Sequence, residues 1–277
     1  MTDAGQMGRA EQKGREVERS DTLDHLVRAG MVAYGVVHLL IAFLAIQLAL
    51  GERSGEASAQ GAMQELASQP FGRAMVWAVA IGMVLLVLWR IIEAVFGHRD
   101  EEGGTRTRKR LVSAGKALVY GALAVTAIRV AVGSGGSGGS GSKTMTSRLM
   151  SAPGGQWLVV AVGLAVIAYA ANLAYRGWTE KFAEHLETEG KLGTSGAAYL
   201  VLGKVGHISK GIALAIVGGL FCYAGITHDA SESSGGLDQA LTKVLQQPFG
   251  QVLLIGIALG LGCYGLFCFA RARHLDR

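Results

Sequence analysis

The sequence has little charge, little proline and little cysteine. Only 17% of its 277 residues are charged, whereas a soluble domain usually carries about 25%, so the composition argues against an ordinary soluble domain. Three cysteines, an odd number, exclude a fully paired disulfide framework. The chain instead has 50% hydrophobic residues, 41 glycines and a mean hydropathy of +0.34.

Acidic residues are almost absent from the long apolar stretches. A helix needs about 20 apolar residues to cross a bilayer, and six stretches reach that length: 30–50, 73–96, 111–132, 157–176, 203–226 and 249–270. Of 21 acidic residues in the chain, only Glu93 lies inside one of them. Because a carboxylate in hydrocarbon costs at least about 2.5 kcal/mol, this segregation predicts an all-α polytopic membrane protein with six transmembrane helices.

The basic residues predict the orientation. The amino tail, the second and fourth connections and the carboxyl end hold seventeen Lys and Arg, whereas the other three connections hold five. By the positive-inside rule, both termini are expected in the cytoplasm, where the basic residues would contact anionic lipid. Residues 1–29 mix charges of both signs and lack a cleavage site, so the first helix is expected to be an uncleaved anchor. The sequence lacks a stripe of basic residues interleaved with aromatics, so no nucleic-acid partner is expected.

The three prolines mark a repeat of about 90 residues. Each proline precedes an even-numbered stretch, and each is followed two residues later by glycine: Pro70 and Gly72, Pro153 and Gly155, Pro248 and Gly250. Sixteen residues after the prolines come Leu86, Tyr169 and Tyr264, and twenty-three after come Glu93, Arg176 and Arg271. The odd-numbered stretches align through Gly35, Gly121 and Gly211, preceded by Tyr34, Tyr120 and Lys210.

Each repeat is therefore predicted to be a helix, a short amphipathic segment on the outer surface, and a returning helix. Two spans per unit insert every copy the same way round, so we expect three parallel repeats in a pseudo-threefold bundle. Small residues recur at four-residue spacing in several stretches and predict close helix contacts. These series include Gly82, Gly121, Gly211 and Gly260. The expected organisation starts with an amino tail (1–29), repeat 1 (30–97) and repeat 2 (110–177), which contains a Gly/Ser linker (133–142). A cytoplasmic amphipathic connector (178–202), repeat 3 (203–271) and a carboxyl tail (272–277) follow.

These three hairpins and their Gln-Pro-Phe-Gly and Ala-Pro-Gly-Gly turns resemble a bacterial membrane family known as domain of unknown function 1206. The resemblance covers about residues 25–275, and Thr227-His228-Asp229 and the ending 269–273 match it as well. The second copy departs from the pattern, with Gly154 in place of phenylalanine. The resemblance implies three two-helix modules and a bacterial inner-membrane location, and it implies no activity and no catalytic residues.

The polar residues inside the apolar stretches are the candidate site. Arg90 and Glu93 share one helix face, and Lys116 and Lys210 lie in the cytoplasmic halves of their helices. One interpretation is that the long side chains reach the interface. The other is a polar cluster under the bundle axis in which Glu93 pairs with Lys116 or Lys210. His38 is expected to hydrogen-bond a neighbouring helix, with a proton relay as the alternative.

The connector between the fourth and fifth stretches is predicted to be amphipathic. Trp178, Phe182 and Leu186 recur at four-residue spacing opposite acidic residues, which is typical of a helix lying on a membrane surface, and a helix that docks a partner is the alternative.

The expected function is a structural or accessory membrane subunit, which would have a membrane-protein partner besides the lipid bilayer. The alternative is a small channel or carrier for an anion or a lipid head group, using the cationic residues near the inner end of the axis. Phosphate-loop, HExxH and CxxC patterns are absent from the sequence, so neither an enzyme nor a cofactor or metal site is expected. The cysteines are interpreted as buried, inert thiols.

Overall fold

The computed structural model describes residues 21–52, 54–96, 103–133, 150, 152–185, 193–228 and 236–274. Within these residues the structure is helical, with a short 3-10 helix at Lys181–His185. The α-helices are α1 (Asp21–Leu50), α2 (Ala59–Ser68), α3 (Gly72–Phe96), α4 (Gly103–Ala131), α5 (Gly155–Trp178), α6 (Gly193–Thr227), α7 (Gly236–Leu245) and α8 (Gly250–Arg273). Residues 1–20 of the predicted amino tail, the Gly/Ser linker after residue 133 and residues 275–277 lie outside the described part.

Six of these helices, α1, α3, α4, α5, α6 and α8, are long and apolar enough to cross a membrane. The predicted all-α polytopic fold with six spanning helices is therefore confirmed. The odd-numbered spans begin earlier than predicted, at Asp21, Gly103 and Gly193. Arginine and lysine are good helix formers, so a helix can begin before its first apolar residue, as in the basic first turns of α4.

The three proline turns have the same geometry, which is direct structural support for the repeat. The amide of the glycine two residues after each proline donates to the carbonyl of the residue before the proline, at 2.7 Å for Gly72, 2.9 Å for Gly155 and 2.8 Å for Gly250. The residues between proline and glycine all have positive φ: Phe71 at 59°, Gly154 at 74° and Phe249 at 59°. The returning helices thus begin at the glycines rather than at Pro70, Pro153 and Pro248.

The six spanning helices form a pseudo-threefold ring with one opening. Around the ring α4 packs on α3, α3 on α1, α1 on α8, α8 on α6, and α6 on α5. Among the described residues, α4 and α5 do not pack along their length. Repeats 1 and 3 are therefore closed hairpins, and repeat 2, whose helices are α4 and α5, is open.

Glycines close the first and third repeats at equivalent places. A Cβ added at Gly30 of α1 would lie 2.5 Å from Leu86 Cγ of α3, and one at Gly206 of α6 would lie 2.6 Å from the Cα of Tyr264 in α8. One turn along, Gly82 of α3 lies against Ala33 in the same way. Since no Cβ fits at these positions, the glycines allow the helix backbones to approach closely.

Contacts between repeats are equivalent at two of the three junctions. A Cβ at Gly35 would lie 2.9 Å from the carbonyl oxygen of Gly265, and one at Gly211 would lie 2.9 Å from that of Ala170. The third equivalent position, Gly121, has open space around it, so the predicted close contact there is wrong. Val87 occupies the place of Gly265 and Ala170 in repeat 1, and its branched side chain prevents the same backbone approach.

The short helices α2 and α7 lie at the end of the bundle where the proline turns are. Their predicted helical structure is present, but their apolar faces pack on the spanning helices, with Met63 and Leu241 fully buried. The buried carboxylate of Asp238 in α7 accepts from the amide of Ala57, just before α2, at 2.8 Å. Repeats 1 and 3 are thereby joined at this end. The corresponding segment of repeat 2, residues 145–149, lies outside the described part.

The connector differs from the predicted surface helix. Trp178 ends α5 and is exposed, whereas Phe182 in the 3-10 helix is buried against His207 and Phe267, with ring centroids 4.9 and 5.1 Å away. Gly203 makes room for this ring, because a Cβ there would collide with it. Phe182 therefore fastens the connector to α6 and α8. Leu186 lies outside the described residues.

Candidate functional site

We call the end of the bundle where α3, α5 and α8 finish the basic end. Near its axis, Lys210 of α6 is buried and enclosed by tyrosines of other helices. Its Nζ donates to the hydroxyl of Tyr34 at 2.6 Å and lies 4.0 Å from the ring centroid of Tyr264. Cation–π contacts of this kind stabilise a desolvated ammonium group. In the described part of the chain, no carboxylate pairs with Lys210.

Aromatic rings fill the axis around Lys210. The ring of Tyr34 contacts those of Tyr120 and Tyr264, with centroids 5.2 and 6.2 Å apart. His38 is buried beside them, with its Nδ1 2.9 Å from the carbonyl oxygen of Tyr34, and its ring centroid is 4.9 Å from that of Tyr264. The predicted hydrogen bond from His38 to a neighbouring helix is replaced by one within α1. These side chains close the axis at this level.

Closer to the basic end, α3 provides an ion pair. Arg90, buried at 4% exposure, donates from Nη1 to Glu93 one turn later on the same helix. Ser113 of α4 donates to the same carboxylate oxygen at 3.0 Å. The direct hydrogen-bond partners of Glu93 are thus Arg90 and Ser113, and of the two predicted partners Lys116 acts on its carboxylate at longer range. The i,i+3 spacing, which places Arg90 beside Glu93, favoured this local pair.

Three repeat-equivalent positions converge around Lys116. The charges of Arg90, Glu93, Arg176 and Arg271 all act on the Lys116 ammonium group, and Glu93, Arg176 and Arg271 are the residues twenty-three positions after the three prolines. We call Arg90, Lys116, Arg176 and Arg271 the basic cluster. Among the described residues the four cations are accompanied by one carboxylate, that of Glu93, which pairs with Arg90, so the group carries an excess of positive charge.

The basic cluster is incompletely paired by protein groups. The Nε atoms of Arg90 and Arg271 are buried and have no hydrogen-bond partner among the described residues. Lys116, Arg176 and Arg271 are each partly exposed, so an incoming group can reach them. The planar guanidinium group presents paired N–H donors that match two oxygens of a carboxylate or a phosphate. The arrangement is chemically suited to hold an anion.

Repeat 2, whose helices do not pack along their length among the described residues, borders this cluster. Lys116 of α4 occupies the position at which repeats 1 and 3 have glycine. Val119, one turn along α4, and Ala165 and Tyr169 on the facing side of α5 are exposed. We call the space between these two helices the α4–α5 gap. It runs along the membrane-spanning part of the bundle and ends at Arg176.

Of the predicted site residues, the structure places Arg90, Glu93 and Lys116 together, and it places Lys210 and His38 together at the next level of the axis. Sequence reasoning missed the tyrosines around Lys210 and the contributions of Arg176 and Arg271. The signal was present in the repeat alignment, since most of these residues occupy aligned positions.

The structure offers no metal centre in its described part, where no three His, Cys, Asp or Glu side chains come together. Cys222 and Cys263 are partly exposed and Cys268 is buried, and all three are free thiols. His228 follows the last residue of α6 and has a φ of 59°, and its neighbour Asp229 lies outside the described residues. Neither feature adds chemistry to the basic cluster.

Comparison with known proteins agrees with the repeat. Residues 29–97, 111–180 and 205–274 each match the family described as Domain of Unknown Function (DUF1206). The chain belongs to the DUF1206 family. It is similar to the uncharacterized protein YxxB of Bacillus subtilis (strain 168), with 29% identity over 248 residues that cover 88% of each chain. No solved structure matches the chain.

The six apolar helices and the bacterial relative indicate a multi-pass membrane protein of bacterial type, and DUF1206 membership supplies no activity. The three matched stretches also place the boundary between repeats 1 and 2 and between repeats 2 and 3 in the connections at the basic end. The basic cluster and the α4–α5 gap are therefore the features of this DUF1206 protein from which a function can be argued.

Proposed function

We propose that this protein binds an anion at the basic end of its axis, through Lys116, Arg176 and Arg271. The observation that carries the proposal is the gathering of Arg90, Arg176 and Arg271 around Lys116 inside a membrane-spanning bundle, with Glu93, which pairs with Arg90, as the accompanying carboxylate. Cationic groups at this depth are costly unless they are paired. Glu93 compensates one of them, so a bound anion would compensate the others.

The geometry supports binding rather than an open pore. Above the basic cluster, the rings of Tyr34, Tyr120 and Tyr264 contact one another and enclose Lys210. An anion that entered at the basic end would therefore stop beneath these rings. Of the two functions expected from the sequence, the anion site rests on a specific arrangement of side chains. The accessory-subunit role places no demand on the basic cluster.

The proposal is tested by titrating pyrophosphate into the purified protein in phosphatidylcholine nanodiscs and measuring the heat of binding. We expect saturable binding that weakens with added salt. Lys116→Gln and Arg176→Gln should each weaken it about tenfold or more, because each removes a charge-assisted contact.

Lys204→Gln is the matched control, since Lys204 lies at the same end, is paired with Glu180 at 3.2 Å and is outside the basic cluster. It should leave the affinity unchanged. Absence of saturable binding, or an equal loss in the control, would refute the anion site and favour the accessory role.

A further inference from the structure

The α4–α5 gap has a cause in the sequence. In repeats 1 and 3, the helices of each hairpin meet where Gly30 and Gly206 leave no room for a Cβ. The equivalent residue of repeat 2 is Lys116. A lysine side chain cannot fit into a backbone contact that excludes a single carbon atom. Lys116 therefore holds apart the two helices that its counterparts allow to close.

A second position has the same effect one turn away. Ala33 and Ser209 pack against Gly82 and Gly260 in the closed repeats. In repeat 2 the corresponding pair is Val119 and Ala165, and both are exposed. The wall of the gap is thus apolar along the membrane-spanning part, and its basic end carries Lys116 and Arg176.

The gap opens sideways, toward the bilayer. Among the six spans, α4 and α5 have the smallest buried shares, 17% and 22%, against 39% to 61% for the others. Arg176 lies in the last turn of α5 and Arg271 in the last turn of α8, which is the depth at which a lipid head group meets a bundle. An apolar gap with cationic side chains at one end is complementary to an anionic lipid, which has apolar chains and a negatively charged head group.

We infer that the ligand of the basic cluster is an anionic phospholipid that enters through the α4–α5 gap. Its phosphate lies among Lys116, Arg176 and Arg271, and its acyl chain lies along Val119 and Ala165. This inference rests on the proposed anion site and adds the class of ligand and its route. Charge complementarity supports the head group, and the exposed apolar walls support the chain.

The test fills the gap without changing the basic cluster. Ala165→Phe adds a ring on the gap side of α5, and Ala171→Phe adds the same ring six residues later, about 120° around the helix, at another exposed alanine. Native mass spectrometry with dioleoylphosphatidylglycerol measures lipid binding, with dioleoylphosphatidylcholine as the zwitterionic comparison. A parallel titration measures pyrophosphate binding.

We expect the wild type and Ala171→Phe to retain one phosphatidylglycerol molecule, and Ala165→Phe to bind it at least tenfold more weakly. All three should bind pyrophosphate with similar affinity. From the opposite wall, Val119→Trp should lose lipid in the same way, with Val125→Trp, exposed six residues later, as its control. If Ala165→Phe fails to fold, the comparison of Val119→Trp with Val125→Trp tests the lipid route instead.

The outcomes separate the two proposals. Retained pyrophosphate binding with equal lipid binding by the gap and control variants would overturn the lipid route and leave the anion site. Equal retention of phosphatidylcholine, or a dimer that the gap variants dissociate, would also overturn it. Loss of both pyrophosphate and lipid binding in the wild type would overturn the anion site itself.

Discussion

Repeats 1 and 3 bring their paired helices together at Gly30 and Gly206, whereas repeat 2 carries Lys116 at the equivalent place on α4. The turns are equivalent in all three copies, with matching hydrogen bonds at the three glycines that follow the prolines. The difference therefore lies in side-chain volume at a helix contact and not in the path of the chain. A repeated hairpin can acquire an opening by replacing one glycine, while the neighbouring copies hold the bundle together.

The repeats also differ in charge at equivalent positions. Repeat 1 has Glu93 where repeats 2 and 3 have Arg176 and Arg271. The one acid lies in a closed repeat and is already paired with Arg90. Arg176 lies on α5, beside the α4–α5 gap, and Arg271 acts on Lys116 from α8. The opening and the charge therefore combine into one candidate site around Lys116.

The largest effect is expected from removing the acid of repeat 1. Glu93→Gln leaves Arg90 buried without a counter-charge and should destabilise the protein by about 3–5 kcal/mol. Unfolding in mixed micelles with increasing dodecyl sulfate measures the change.

Arg176→Gln, at the equivalent position of repeat 2, is the comparison and should cost less than about 1 kcal/mol, since Arg176 is partly exposed. Replacing both Arg90 and Glu93 with leucine should restore most of the lost stability. Equal losses for Glu93→Gln and Arg176→Gln would mean that the Arg90–Glu93 pair has no special role.

The link between repeats 1 and 3 at the end of the bundle with the proline turns should have the next largest effect. Asp238→Ala removes the acceptor for the Ala57 amide and leaves that donor buried, at a cost of about 1.5–3 kcal/mol. Lys243→Ala, on the same helix, is expected to cost less. Amide hydrogen exchange should show faster exchange in α2 and α7 of the Asp238 variant. Unchanged exchange there would indicate that the two short helices are held in place independently.

The spanning helices and their turns could be predicted from the sequence because each depends on local properties. Apolar length and the exclusion of acids identify the spans, and a proline followed two residues later by glycine identifies the turn. The positive φ at Phe71 and Phe249 was not predictable from residue preference, since aromatic residues rarely adopt it. Only the alignment with Gly154 contained that information.

The candidate site was harder to predict because it depends on which helix faces which. Lys116 could be identified as an embedded cation, but its effect on the α4–α5 contact requires knowing that Gly30 and Gly206 lie at helix contacts. Likewise, Glu93 had candidate partners on its own helix and on others, and spacing alone did not select among them. Packing between distant segments decided both questions.

The glycine contact itself can be tested by a single methyl group. Gly206→Ala places a Cβ 2.6 Å from the backbone of Tyr264, so α6 and α8 must move apart, at a cost of about 1–3 kcal/mol. Gly121→Ala is the matched variant in repeat 2, where nothing lies within 4 Å of the added atom. It should stabilise the protein by up to about 1 kcal/mol, because alanine favours the helix more than glycine does. The melting temperature in detergent should therefore shift in opposite directions, and a shared direction would contradict the difference between closed and open repeats.

The smallest effect concerns the one turn residue at which the repeats differ. Phe249 has a φ of 59° and is 84% exposed, so its side chain gains little from packing while its backbone is strained. Phe249→Gly should relieve about 1 kcal/mol of strain and raise the melting temperature in detergent, whereas Gly154→Phe should lower it by a similar free energy. In a bilayer, the exposed ring at the start of α8 would lie at the interface that aromatic residues prefer. Phe249→Gly should then stabilise the protein less in nanodiscs than in detergent, and an equal gain in both would show that the ring does not anchor this turn to the membrane.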